Sequence, residues 1–308
     1  MDRFLKPGND PHPALENAIY LLACHFAKSQ VYSDLEPAFF AQVQHEVNTA
    51  LDTSDRLPDI VQASALLAIY LYMNNRIMEG YRHTFSAIKL AVGIGLHQIQ
   101  PQSVLTGIYP VHAPLIPVAP PRNAMELQDR VLAFWQVFMI DRCWSVAIGL
   151  PLVLPDKDAP QCRIITPWPL GPGKWDTINF QPPLRAFFDG AELSNPSEET
   201  IPSLKAKAAA LYELTSRSKN VYDPNDWNYR FSEVALQRFS STIPAVPFDR
   251  DYFTIQTMVY TSFIHLKRHA TSDGRALKAG NSVVKLICQL TDADWPHLDP
   301  IVCVRWSE

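Results

Sequence analysis

Proline is distributed so unevenly along this chain that its positions alone mark where helices can run. Of 26 prolines in 308 residues, sixteen fall between Pro101 and Pro202, while the windows 14–36, 59–100, 122–150, 203–223 and 248–295 contain none. A proline inside a helix removes an N–H donor and clashes with the carbonyl one turn back, at a cost of about 3 kcal/mol. Proline-free blocks between proline-rich joints therefore predict helices and their connections. Glycine is scarce, at 11 residues, about half of its usual share of roughly 7%. That scarcity argues against phosphate-cradling loops and tight-turn β architectures.

Apolar spacing fills in the blocks. Leu15, Ile19, Leu22 and Phe26 stripe a helix over 14–30, and Phe40, Val43, Val47 and Leu51 stripe one over 35–51. After a turn at 52–58, Ile60, Ala63, Leu67, Tyr70 and Leu71 form one face. Asn74-Asn75 interrupts, and Ile77, Tyr81, Phe85 or Thr84, Ile88 and Val92 form the next, stopped by Gly93 and Gly95. So short a joint predicts an αα-hairpin. Residues 98–124 read as a proline-rich linker, uncharged over 101–121, lying on the helical body through Val104, Leu105, Ile108, Tyr109, Leu115 and Ile116. A helix over 125–148 buries Val131, Leu132, Trp135, Phe138 and Met139 and ends at Gly149-Leu150-Pro151. Residues 150–200 form an irregular excursion with one short helix at 183–190, and further helices follow over 201–219, 228–241, 249–270 and 275–291. The expected fold is all-α, an irregular multi-helix bundle built around αα-hairpins with proline-rich linkers, with residues 1–308 as a single domain.

Composition excludes several functions. The net charge is −4 and no basic stripe is present, which excludes a free-standing nucleic-acid binder, because phosphate contacts dominate such affinity. The first eight residues lack the apolar stretch of a signal peptide, and the stretch 101–121 holds six prolines, so no membrane partner is expected. With no N-glycosylation sequon and five scattered cysteines, a reducing intracellular compartment is expected.

Catalytic and metal signatures are missing. There is no G-x-S-x-G and no phosphate-binding loop, and Gly93-Ile94-Gly95-Leu96-His97-Gln98 lacks a third glycine and follows a helix rather than a strand. His265 and His269 share a helix face, but no third metal ligand is nominated, and Lys267 and Arg268 beside them suit a helix C-terminal end. Cys24, Cys143 and Cys288 sit in apolar helical stretches as core thiols. Asp141-Arg142 lies beside the most aromatic helix, where a charge needs a partner. Pairing with Arg82 or Glu79 is the structural reading, and lining an effector pocket is the functional one.

Two blocks carry a resemblance. Asn75-Arg76-Ile77-Met78-Glu79-Gly80-Tyr81, followed by Ala87-Ile88-Lys89-Leu90-Ala91 and Gly95-Leu96-His97, resembles the first core block of the fungal-specific transcription factor domain. This is the middle homology region of zinc binuclear cluster regulators. Asp129-Arg130-Val131, Phe134-Trp135, Ile140-Asp141-Arg142 and Gly149-Leu150-Pro151 resemble the second, and His12-Pro13-Ala14-Leu15 the usual opening. The resemblance covers roughly 11–160, with residues 150–200 as the excursion and 201–291 as distal helices. Position 150 is leucine where the family often has arginine, and the six-cysteine basic module is not among these residues.

The resemblance implies a non-catalytic helical regulatory domain of a nuclear regulator of RNA polymerase II transcription, responsive to a small-molecule effector. Transcription regulators or a second copy of the chain are the expected protein partners. DNA would be reached only through a module outside these residues, and zinc would belong only to that module, leaving no cofactor here. The candidate motif and effector-pocket residues are Glu79, Gly80, Tyr81, Gly95, His97, Trp135, Asp141, Arg142, Gly149 and Pro151, with no catalytic and no metal residue. An effector would be sensed by a wall of Trp135, Phe138, Phe85 and Tyr81. The alternatives are a cluster-less helical interaction scaffold and a helical enzyme with an apolar pocket using His97, Asp141 or a cysteine.

Overall fold

The computed structural model of the chain describes residues 10–27, 29–99, 114–154, 159, 162–171, 183–191, 199–217, 227–244, 249–267, 274–294 and 298. These contain eleven α-helices and no strand: α1 (Pro13–Ala27), α2 (Gln30–Ser33), α3 (Glu36–Thr53), α4 (Leu57–Met73), α5 (Ile77–Gly93), α6 (Ala124–Ile148), α7 (Pro183–Asp189), α8 (Ile201–Ser216), α9 (Trp227–Thr242), α10 (Arg250–Lys267) and α11 (Arg275–Ile287). Every helix predicted from the sequence is present. Five of them carry proline in the first turn: Pro13, Pro37, Pro58, Pro183 and Pro202. There the missing N–H has no intrahelical partner to lose and the fixed φ suits the helix. The sequence reading missed α2, a single turn entered through extended Ser29, which separates α1 from α3.

The chain divides into two compact units, the first comprising residues 1–97, 109–140 and 153–155, and the second 98–108, 141–152 and 156–308. Helix α6 belongs to the first up to Ile140 and to the second from Asp141. It is long and apolar enough to cross a membrane by length and composition, but 61% of that stretch is buried, which marks a core helix of the bundle.

In the first unit the core is Ala14, Leu15, Ala18 and Leu21 of α1, Val43, Val47 and Ala50 of α3, and Ile60, Ala63, Leu67, Tyr70 and Leu71 of α4. Tyr70 donates to Glu36 Oε2 at 3.1 Å, and His25 Nδ1 lies 3.2 Å from the same oxygen, so one carboxylate links α1, α3 and α4. Burial, then Glu36, pushes the Tyr70 phenol up to about 12. α4 and α5 form the predicted hairpin, turned by Asn75 at φ +57.

Two predicted faces are rotated. α1 buries the predicted Leu15 together with Ala14, Ala18, Leu21 and Cys24, with the predicted Ile19 and Leu22 only partly covered. α5 buries Gly80, Thr84, Ala87, Ile88 and Ala91, leaving Phe85 47% exposed under the Lys89 ammonium. The reason is distance. A Cβ on Gly80 would stand 2.7 Å from Tyr72 Cδ1 and Cε1, and the Tyr72 hydroxyl bonds Thr84 Oγ1 at 3.0 Å. α4 and α5 run too close for bulky side chains between them, so small residues take the buried face.

In the second unit α8 packs on α10, α10 on α9 and α11, and α7 on α9. Buried Thr215 and Ser262 return their hydroxyls to carbonyls of their own helices, Leu211 and Met258. Arg238 on α9 donates to the Phe187 and Phe188 carbonyls at the end of α7, and a side chain on Gly190 would strike that guanidinium. Part of the excursion is pinned to α8. Thr200 caps α8, accepting from the Ser203 N–H, and donates to the Pro169 carbonyl at 2.7 Å. Lys207, 1% exposed, puts its ammonium 2.9 Å from Glu199 and 5.4 Å from the ring centres of Trp168 and Phe187. Trp175, Val104, Leu105, Ile108, Tyr109 and His269 lie outside the described residues.

Two outcomes test this packing. Gly80→Ala should destabilise the chain by about 1–3 kcal/mol through overpacking against Tyr72, read as a lower thermal midpoint; an unchanged midpoint would show that α5 is free to move away. Lys207→Met should cost about 3–5 kcal/mol because Glu199 is left without its cation, with Glu199→Gln restoring much of it in the double variant.

Candidate functional site

The structure distributes the sequence-derived candidates over both units. Glu79, Gly80 and Tyr81 sit on the first turns of α5, where Arg76 grips Glu79 through Nε at 2.8 Å and Nη2 at 2.7 Å. That hydrogen-bonded guanidinium holds the Glu79 carboxyl below its ordinary value. Glu79 is thus paired locally. Gly95, at φ +80, ends α5 and abuts Pro114, and His97 lies buried in the single 3-10 turn Leu96–Gln98. Trp135 is fully buried, edge-on to Phe138 at 5.0 Å and Phe134 at 5.2 Å. The expected aromatic wall is therefore dense core at Trp135 and Phe138, and Phe85 is turned outward. Asp141 and Arg142 are buried in the second unit, as part of the same helix that carries Trp135 in the first. Gly149, at φ +70, ends α6 and is exposed, as is Pro151.

Among the described residues the first unit has a cavity elsewhere, about 460 Å³ in volume, between the N-terminal turns of α4 and α6 and the proline-rich strap 116–120. The strap is tied down by the Ile116 N–H donating to the Gly93 carbonyl at 3.0 Å. On the α4 side Arg56, in the left-handed region at φ +40, chelates Asp55 and reaches the Asp10 and Pro11 carbonyls. Asp59 accepts the His12 N–H at 2.8 Å, while His12 Nδ1 accepts from the Ala14 N–H and so caps α1 as a neutral ring. Burial, and then Arg56, lowers the His12 pKa.

On the α6 side Asn123 caps the helix by accepting from the Glu126 N–H. Glu126 then accepts from the Arg122 N–H and Nε and from Arg130 Nη2. Burial works to raise the Glu126 pKa, but these hydrogen bonds outweigh it and the carboxyl stays below its usual value. Gln62 of α4 donates to the Asp129 carbonyl at 3.4 Å. Sequence reasoning missed this cluster. The signal was present in Arg122, Glu126 and Arg130 at successive spacings of four, an ion-pair ladder running from just ahead of α6 onto its first two turns. That the strap folds over the ladder could not be read from spacing.

Among known proteins, a family model described as "Fungal specific transcription factor domain" matches residues 3–162, just over half of the chain. The "Thiamine repressible genes regulatory protein thi1" of Schizosaccharomyces pombe is 30% identical over 118 residues, which cover 34% of this chain and 13% of that protein. The chain thus spans about an eighth of the length of this curated relative. No solved structure matches the chain.

The same unit carries a pH response. Burial, then Arg82, pushes His83 of α5 down to about 4. Between that value and the 6.5 of the unfolded chain, the unfolded state binds more protons, so stability is complete above pH 6.5 and lost as the pH falls toward 4. His12 adds to this in the same direction. Urea midpoints should fall from pH 6.5 to pH 5, and His83→Gln should flatten part of that fall; identical slopes for both proteins would assign the effect elsewhere.

Proposed function

The chain belongs to the fungal-specific transcription factor domain family, and from that premise we propose that it is an effector-responsive regulatory domain acting in nuclear transcription. The observation that carries this reading is the family match over residues 3–162, which contains both sequence blocks. The S. pombe relative, whose name ties it to genes repressible by thiamine, supports control by a small molecule. Recognition of DNA falls to a zinc cluster module outside these residues, and contacts to other regulators or a second copy of the chain relay the response. The domain itself performs no catalysis. An effector acts by binding one arrangement of the helices better than another, and only that differential affinity moves the equilibrium. Driving such a switch from 1:99 to 99:1 takes about 10⁴-fold preference.

The reading is tested by fusing the full chain to an unrelated DNA-binding module in yeast and measuring a reporter. Expression should differ several-fold from the module alone and change with nutrient supply, including thiamine. A reporter level equal to that of the module alone in every medium, with the fusion present in the nucleus, would overturn it.

A further inference from the structure

We propose that the solvent-facing side of α11 is a docking face for an acidic amphipathic helix of another protein. The site is independent of the effector reading, because α11 lies beyond the family match over residues 3–162.

α11 packs on α10 and buries Ala279 and Val283. Its other side presents Leu277 and Val284, 71% and 57% exposed, together with exposed Asn281 and Cys288. Spacings of four, three and four place these side chains in one stripe along the helix. That is the alternation of a coiled-coil seam, in which four residues frame a hole for one side chain of the partner helix. Here Leu277, Gly280, Asn281 and Val284 frame the hole.

Packing inside the chain does not require glycine at 280. Glycine weakens a helix interior, yet among the described residues no atom lies within 4 Å of the position its Cβ would take. At Gly80 and Gly190 a neighbouring side chain fills that position. At Gly280 the space is open, and a bulky apolar side chain of a second helix fits it.

Charge names the partner. The charged residues of α11 are Arg275, Lys278 and Lys285, with no acid among them. Arg275 is held by Glu233. Lys278 and Lys285 are exposed, each one position after Leu277 and Val284, where the flanking side chains of a coiled coil meet the partner's charges. Neither has an ion partner among the described residues. Carboxylates on the partner would answer both ammonium groups. A second copy of α11 would bring cations against cations, which costs affinity. A contact confined to this one short helix falls below about 1,200 Å² of buried surface, the range of transient complexes.

The test is binding of the full chain to two labelled synthetic peptides, read by fluorescence anisotropy. Both are helical, with Leu in the seam; one carries Glu in the flanking positions and the other Lys. The Glu peptide should bind in the micromolar range and at least about tenfold tighter than the Lys peptide, a margin that shrinks with added salt. Reversing both charges in Lys278→Glu/Lys285→Glu should invert that order. Gly280→Leu should fill the hole and weaken the Glu peptide about tenfold, while the thermal midpoint holds or rises because leucine favours the helix. Should Gly280→Leu misfold, the charge reversal on exposed side chains carries the test. No binding of either peptide, equal affinity for both, or an order left unchanged by the charge reversal would overturn the docking face. Self-association of the chain in sedimentation that Val284→Ser disperses would overturn it too, by giving the face to a second copy.

Discussion

The approach of α4 to α5 is fixed by one ring. Tyr72 lies flat against the backbone at Gly80 and turns its hydroxyl to Thr84, leaving no room for a Cβ at position 80. Because α4 is apolar nearly all round, it must be covered on every side. α5 covers one side at close range, and α1 and α3 cover the others through Leu15, Leu21, Val43 and Val47. The strap hangs from this pair of helices, since Ile116 bonds the carbonyl of Gly93 at the end of α5. The cavity therefore inherits its shape from the hairpin.

Charge is handled differently in the two units. In the first, charged groups gather where helices begin: Arg56 and Asp55 ahead of α4, Arg122 ahead of α6, and Glu126 and Arg130 on its first turns. Acidic side chains near helix N-termini are favoured by the macrodipole, and the arginines there draw further carboxylates in. In the second unit charges are buried among aromatic rings. Lys207 stands between Trp168, Phe187 and Glu199, and Lys267 reaches Glu233 and Tyr229. Such a buried pair adds little net stability over an apolar pair, but breaking it is expensive. These pairs fix which segments meet.

The fold was largely legible because proline position is a local property. Pro13, Pro37, Pro58, Pro183 and Pro202 each mark a helix start without any tertiary help. Faces were less legible. A stripe reading places the largest apolar residues inward, and this held for Val43, Val47 and Ile60. It failed for Phe85, whose alternative Thr84 is buried instead, and in part on α1, where Ala14, Ala18 and Leu21 are buried and Ile19 and Leu22 only partly covered. For the site, Trp135 and Phe138 were read as neighbours, and they stack edge-on in the buried core.

The sequence by itself determined that this chain is helical, where every helix but the short α2 lies, and that it carries the two blocks of its family, because each follows from residue type and near-neighbour spacing. Only the tertiary structure decided which face of α5 is buried, where the first unit keeps a cavity, and which face of α11 is left open. Those outcomes depend on distances between segments far apart in the chain, such as Gly80 to Tyr72 and the 116–120 strap to the first turns of α4 and α6, and no local pattern encodes them.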